Sequence, residues 1–112
     1  MWQRALSGSG GGGGSFNIQT KMSSNTTAET ITADHDAEEM YVFNATLPQY
    51  RRWTVTVNNT TYSPSNSVEN VNSAVNYSGY GMCYDKIIAT IKKGDTITIN
   101  AGGANSVATV VF

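Results

Sequence analysis

RRWTVTVNNTTYS, residues 51–63, alternates Trp53, Val55 and Val57 against Thr54 and Thr56, breaks at Asn58-Asn59, and resumes with Thr60, Thr61 and Tyr62. A period of two in β-branched and aromatic residues is the pattern of a strand with one wet face. Asparagine tolerates the positive φ that a tight turn demands. The stretch therefore predicts a β-hairpin, and it sets the expectation for the chain on either side.

Upstream, FNIQTKM (16–22) places Phe16, Ile18, Thr20 and Met22 on one face and Asn17, Gln19 and Lys21 on the other, a half-buried strand. TAETITA (27–33) alternates more weakly around Ile31, DHDAEE (34–39) interrupts with charge as a loop, and MYVFNATL (40–47) supplies another strand. Downstream, YDKIIATI (84–91) has the look of a buried strand, KKGD (92–95) of a turn with Gly94 at the awkward backbone angle, and TITINA (96–101) of the returning partner. Gly102-Gly103 makes a further turn, and SVATVVF (106–112) is a strand apolar to Phe112, expected to be buried in a sheet or against another subunit. Between these halves, residues 63–83 hold SVENVNSAV, which is expected to form a brief helix or an irregular loop as the topological crossover. Seven or eight short strands with turns about every ten residues and little helix predict an all-β, antiparallel β-sandwich or jelly-roll-like fold.

The 112 residues suit one domain. SGSGGGGGS, residues 7–15, resists ordering because glycine loses more backbone entropy than any other residue. The expected division is an N-terminal anchoring peptide with its linker, 1–15, and a β-sandwich domain, 16–112. Within MWQRAL the apolar edge of Met1, Trp2, Ala5 and Leu6 gives Trp2 and Leu6 as the residues that anchor to a partner. MWQRAL has no apolar run behind it, so export by the general secretory route is not expected. No segment approaches the length of a membrane-spanning helix.

Only 13% of residues are charged and the formal net charge is −1, so solubility rests on Asn, Thr and Ser, and the positive excess that captures nucleic acid is absent. The basic pairs Arg51-Arg52 and Lys92-Lys93 are expected to be solvated turns or strand ends. Cys83 is the single cysteine, so no intrachain disulfide and no multi-cysteine zinc site is available. With His35 the single histidine and nothing joining it to Cys83, no catalytic residue is assigned and a buried free thiol is expected. Asp34, Asp36, Glu38 and Glu39 lack the glycine and loop length of an EF-hand, and they form one acidic cluster without a second carboxylate across a cleft. A solvated acidic turn is expected there, with no metal, no cofactor and no hydrolase chemistry. NYSGYGMCY (76–84) gathers Tyr77, Tyr80 and Tyr84, which either present rings to a ligand or cap the end of the sandwich.

MWQRALSGSGGGGGS followed by a small Asn/Thr-rich all-β unit resembles the small virion-associated proteins of tailed bacteriophages and prophages. IIATIKKGDTITINAG, residues 87–102, is similar to the strand-turn-strand of trimeric jelly-roll heads of the complement, tumour-necrosis-factor and phage-fibre types. The resemblance implies a virion structural protein of a tail, fibre or capsid surface, a homo-oligomer with a trimer favoured, joined to other virion proteins by its N-terminal segment and touching host-surface glycan. The first alternative is a stand-alone carbohydrate-binding module; the second, a small hydrolase, would need a cleft that the acidic cluster does not supply.

Overall fold

The computed structural model describes residues 17–46, 51–77 and 80–112, with the backbone alone described for residues 70–77 and 80–81. Among the described residues nine strands form two antiparallel sheets: β1 (Thr20–Ser24), β2 (Glu29–Thr32), β3 (Ala37–Thr46), β4 (Thr54–Val57), β5 (Thr60–Tyr62), β6 (Glu69–Tyr77), β7 (Tyr80–Ile91), β8 (Thr96–Asn100) and β9 (Val107–Val111). One sheet has the order β1-β9-β3-β7-β6 and the other β2-β8-β4-β5. The chain passes repeatedly from one sheet to the other, and with β6 set aside each sheet holds four strands in the order of a jelly roll. The all-β sandwich expected from the alternation is the observed architecture.

Alternation assigns the core. Met40 and Val42 of β3, Ile87, Ala89 and Ile91 of β7, and Ala108 and Val110 of β9 face Val55 and Val57 of β4 and Ile97 and Ile99 of β8. Trp53 and Phe112 are buried among them. The hairpin 51–63 is present as drawn from the sequence, with Val57 paired to Thr60 and Asn58 at φ 54°. Its side chain adds a second reason for asparagine, because Asn58 Oδ1 accepts the Thr96 N–H at 3.1 Å and so fastens the turn to β8. The turn 92–95 forms as expected around Gly94, φ 98°.

Four expectations are corrected. The stretch around SVENVNSAV is strand β6 at the sheet edge, preceded by a single 3-10 turn at Pro64–Asn66, which raises the strand number to nine. Its valines are poor helix formers and good strand formers, and the long β7 offers it a strand to pair with, Glu69 opposite Lys86 and Val71 opposite Tyr84. The acidic loop is shorter than 34–39, because Ala37–Glu39 already belong to β3. The apolar face of 16–22 is not the buried one: Ile18 and Met22 are exposed and Ser23 is buried. Parity is set by β9, where Ser23 pairs with inward Ala108 and Met22 with Thr109. Ser23 is suited to that place, since its hydroxyl donates to Thr27 O (2.6 Å) and accepts the Ala101 N–H (2.8 Å). Finally, Arg51 is not a solvated strand end, for its guanidinium is turned inward to the buried carboxylate of Asp85.

Candidate functional site

In the five-stranded sheet, β1, β9, β3 and β7 turn an apolar and aromatic face outward. Residues whose neighbours along each strand point to the core must point away from it. One row runs Met22, Thr109, Phe43 and Tyr84 across β1, β9, β3 and β7. Flanking rows hold Val107, Ala45 and Met82 on one side and Val111, Tyr41 and Lys86 on the other. Met22, Phe43, Met82 and Ile88 are 57%, 43%, 49% and 58% exposed. Large apolar side chains gathered on one face, rather than scattered singly, mark a surface that meets something.

The rings hold each other in place. Tyr84 meets Tyr41 edge-on at 6.1 Å between centroids and Phe43 at 5.7 Å. At the rim, Tyr41 Oη donates to Glu39 Oε2 (3.1 Å), and Lys86 Nζ stands 3.5 Å from Glu39 Oε1 and 5.9 Å from the Tyr41 ring centre. The hydrogen bond to the Glu39 carboxylate holds the Tyr41 proton on, raising its pKa, and the Glu39 charge raises that of Lys86. One acid and one base thus neutralise each other at the edge of an uncharged centre.

The opposite face is unlike it. On the four-stranded sheet Thr30, Thr98, Thr56 and Thr61 make one row across β2, β8, β4 and β5. Their hydroxyls pair at 3.0 Å, Thr30 with Thr98 and Thr56 with Thr61. That surface is hydroxylic and uncharged, so the sandwich has one oily and one wet side.

A groove of about 440 Å³ opens where the outer face meets the loop 33–36. Its apolar part is Ile18, Tyr41, Val111 and Phe112, and its rim carries Asp36, Glu38 and Glu39. His35 stacks on Phe112, 5.5 Å and 21°, with its Nδ1 2.7 Å from Asp34 Oδ1.

The carboxylates expected together at 34–39 are splayed by the strand that begins at Ala37. Asp36 accepts the Lys93 N–H (2.8 Å), Glu38 the Thr90 hydroxyl (3.2 Å), and Glu39 faces Lys86. Among the described residues no three His, Cys, Asp or Glu side chains gather as metal ligands. Nor does the fold join the histidine to the cysteine. His35 lies just before β3, whereas Cys83 pairs with Asn44, roughly 24 Å along that strand at about 3.4 Å per residue. The thiol is buried and donates to Asn44 O at 3.5 Å.

Of the three tyrosines singled out, Tyr84 belongs to the outer face, in company with Tyr41 and Phe43. The backbones of Tyr77 and Tyr80 are paired where β6 meets β7, and their side chains lie outside the described residues. Trp2 and Leu6 also lie outside them, as does the whole 1–15 segment. Tyr41 and Phe43 are not marked out by the sequence, because MYVFNATL is apolar on both parities. The alternation of Met40, Val42 and Asn44 against Tyr41, Phe43 and Ala45 was the available signal. No helix is long and apolar enough to cross a membrane among the described residues. No family model matches the chain, and neither a curated protein nor a solved structure gives a match.

Proposed function

We propose that the chain is a structural subunit that acts by assembling with copies of itself through the outer face of β1-β9-β3-β7, its work being adhesion and architecture rather than catalysis. The observation that carries this reading is the row Met22, Thr109, Phe43, Tyr84 with Met82 beside it, apolar and left open on one side of the sandwich while the row on the opposite sheet is threonine. A self-contact must tolerate its own charge. Here Lys86 and Glu39 cancel within one copy, so two copies approach without repulsion. Burying each of the large side chains contributes roughly 1.5–3 kcal/mol. In its concrete form the proposal is a phage virion component, a trimer attached by its N-terminal segment to other virion proteins, and that form rests on the resemblance of the sequence.

The test is the mass of the full chain in solution by light scattering, beside Phe43→Lys and Met82→Lys. A trimeric parent and monomeric variants with unchanged circular dichroism support the reading. A monomeric parent at about 100 μM, a concentration at which specific oligomers persist, overturns it. A second reading, a stand-alone carbohydrate-binding module, is favoured by the exposed rings around Tyr84. It requires a monomer that binds glycan and loses that binding on Tyr84→Ala.

A further inference from the structure

The groove beside Phe112 lies where the chain enters the body. Asn17 and Ile18, the first two described residues, line it, and sixteen residues precede them in the sequence. Those sixteen hold a single charged side chain, Arg4, flanked by Trp2 and Leu6, and then the glycine-rich run 7–15. The groove offers the complement: three carboxylates, Asp36, Glu38 and Glu39, no lysine or arginine among its described lining residues, and an apolar wall of Ile18, Val111, Phe112 and the Tyr41 ring.

We propose that in the free chain the N-terminal hexapeptide, residues 1–6, folds back into this groove, with Trp2 and Leu6 on the apolar wall and Arg4 against the carboxylates. The spacer makes the return feasible. Nine Gly/Ser residues have a root-mean-square span of about 15–18 Å, and glycine reverses direction without steric cost. The groove, at about 440 Å³, is of the size that encloses a pair of large side chains or a small organic ligand. Six residues bind weakly on their own. Tethered at the groove's own edge, they act at roughly millimolar effective concentration, which is enough to fill a site of modest affinity. Arg4 is the natural partner for this rim, since a guanidinium engages a carboxylate through two parallel N–H donors. Glu39 is shared with Lys86 and Tyr41, so Asp36 and Glu38 have the freer oxygens to offer.

The experiment is fluorine NMR of the full chain labelled with 5-fluorotryptophan. It has two resonances, Trp2 and Trp53, assigned through Trp2→Phe. The Trp2 resonance is expected to stand away from its position in the synthetic peptide MWQRALSG and to keep that position over about a twenty-fold dilution, because the docking is intramolecular. Asp36→Asn/Glu38→Gln/Glu39→Gln is expected to move it at least about halfway back to the free-peptide value, the loss of charge complementarity being the cause. Arg4→Gln, which leaves the body untouched, is expected to do the same. Trp53, buried in the core, reports in the same spectrum that each variant is folded. A Trp2 resonance coincident with the free peptide overturns the proposal. So does a displaced one that ignores the groove carboxylates and Arg4, or one that moves with dilution.

Discussion

The indole N–H of Trp53 donates to Asp85 Oδ2 at 2.8 Å, and neither side chain reaches solvent. Arg51 Nε approaches the same oxygen to 3.1 Å, but its N–H is not aimed along the contact, so the guanidinium contributes charge more than a hydrogen bond. Asp85 belongs to one sheet, and Trp53 and Arg51 lead into β4 of the other. A buried charge is tolerable only when partnered, and here the partner group joins the two layers. Trp53→Phe keeps an aromatic ring in the core and removes the donor. It is expected to cost about 2–3 kcal/mol, read as a lower urea midpoint with an unchanged slope. Arg51→Leu is expected to cost about 3 kcal/mol by removing a positive charge from beside the buried carboxylate.

Two glycines with positive φ should respond differently to alanine. Gly94, φ 98°, has open space where a Cβ would stand, so Gly94→Ala suffers backbone strain alone, about 1–2 kcal/mol. At Gly102, φ 84°, a Cβ would overlap the backbone carbonyl of Arg52. Gly102→Ala is expected to exceed Gly94→Ala by about 2 kcal/mol or more in denaturant melts, because a main chain rather than a side chain must move.

The turn at Asn58 separates conformation from bonding. Asn58→Gly relieves the left-handed angle and loses the bond to Thr96, whereas Asn58→Ala loses the bond and keeps the strain. Alanine is expected to cost about 2 kcal/mol and glycine about half of that, measured by thermal or urea unfolding.

Burial pushes the Cys83 thiol above its ordinary pKa; neighbouring Arg51 opposes the shift and Asp85 adds to it. The folded chain therefore holds this proton at a pH where the unfolded chain has begun to release it. The resulting stability is full below the unfolded thiol pKa and falls as pH rises through the folded one. Reaction with a disulfide reagent at pH 8 is expected to be about 100-fold slower in the native chain than in urea, and Cys83→Ser should flatten the alkaline decline.

Asp95 carries the opposite sign. The Lys92 N–H, donating to its carboxylate at 2.8 Å, lowers its pKa, with the Asn58 side chain adding to the effect. Its contribution is present above the unfolded carboxylate pKa and lost as pH falls through the folded one. An NMR titration of the carboxylate should show a midpoint below that of a free aspartate, and Asp95→Asn should remove this part of the acid sensitivity.

The sandwich was legible because alternation survives in residues such as Trp53, Val55 and Val57, where one parity is apolar and the other threonine. It failed where both parities are alike or where pairing is distant. Around Val68 and Val71 the local pattern is weak, and β6 exists because β7 is long enough to carry it. Ser23 is inside and Met22 outside because register with β9, far along the chain, decides parity. The outer face of Tyr41, Phe43 and Tyr84 joins residues far apart in the chain, which no local spacing reveals. Arg51 looked like surface because a buried charge is legible only with its partner, Asp85, in view.

Gln19 and Phe112 exchange two backbone hydrogen bonds, of 2.9 and 3.1 Å, so the entry to β1 and the exit from β9 are antiparallel neighbours. Tension applied between those two ends would not shear the β1–β9 ladder but peel it, rung by rung from Gln19 onward. Pulled that way the sandwich is a zip fastener, weak against force however firm its interior. A pull on the N-terminal end opposed by the outer face loads the same rungs along the strand axis and meets them together.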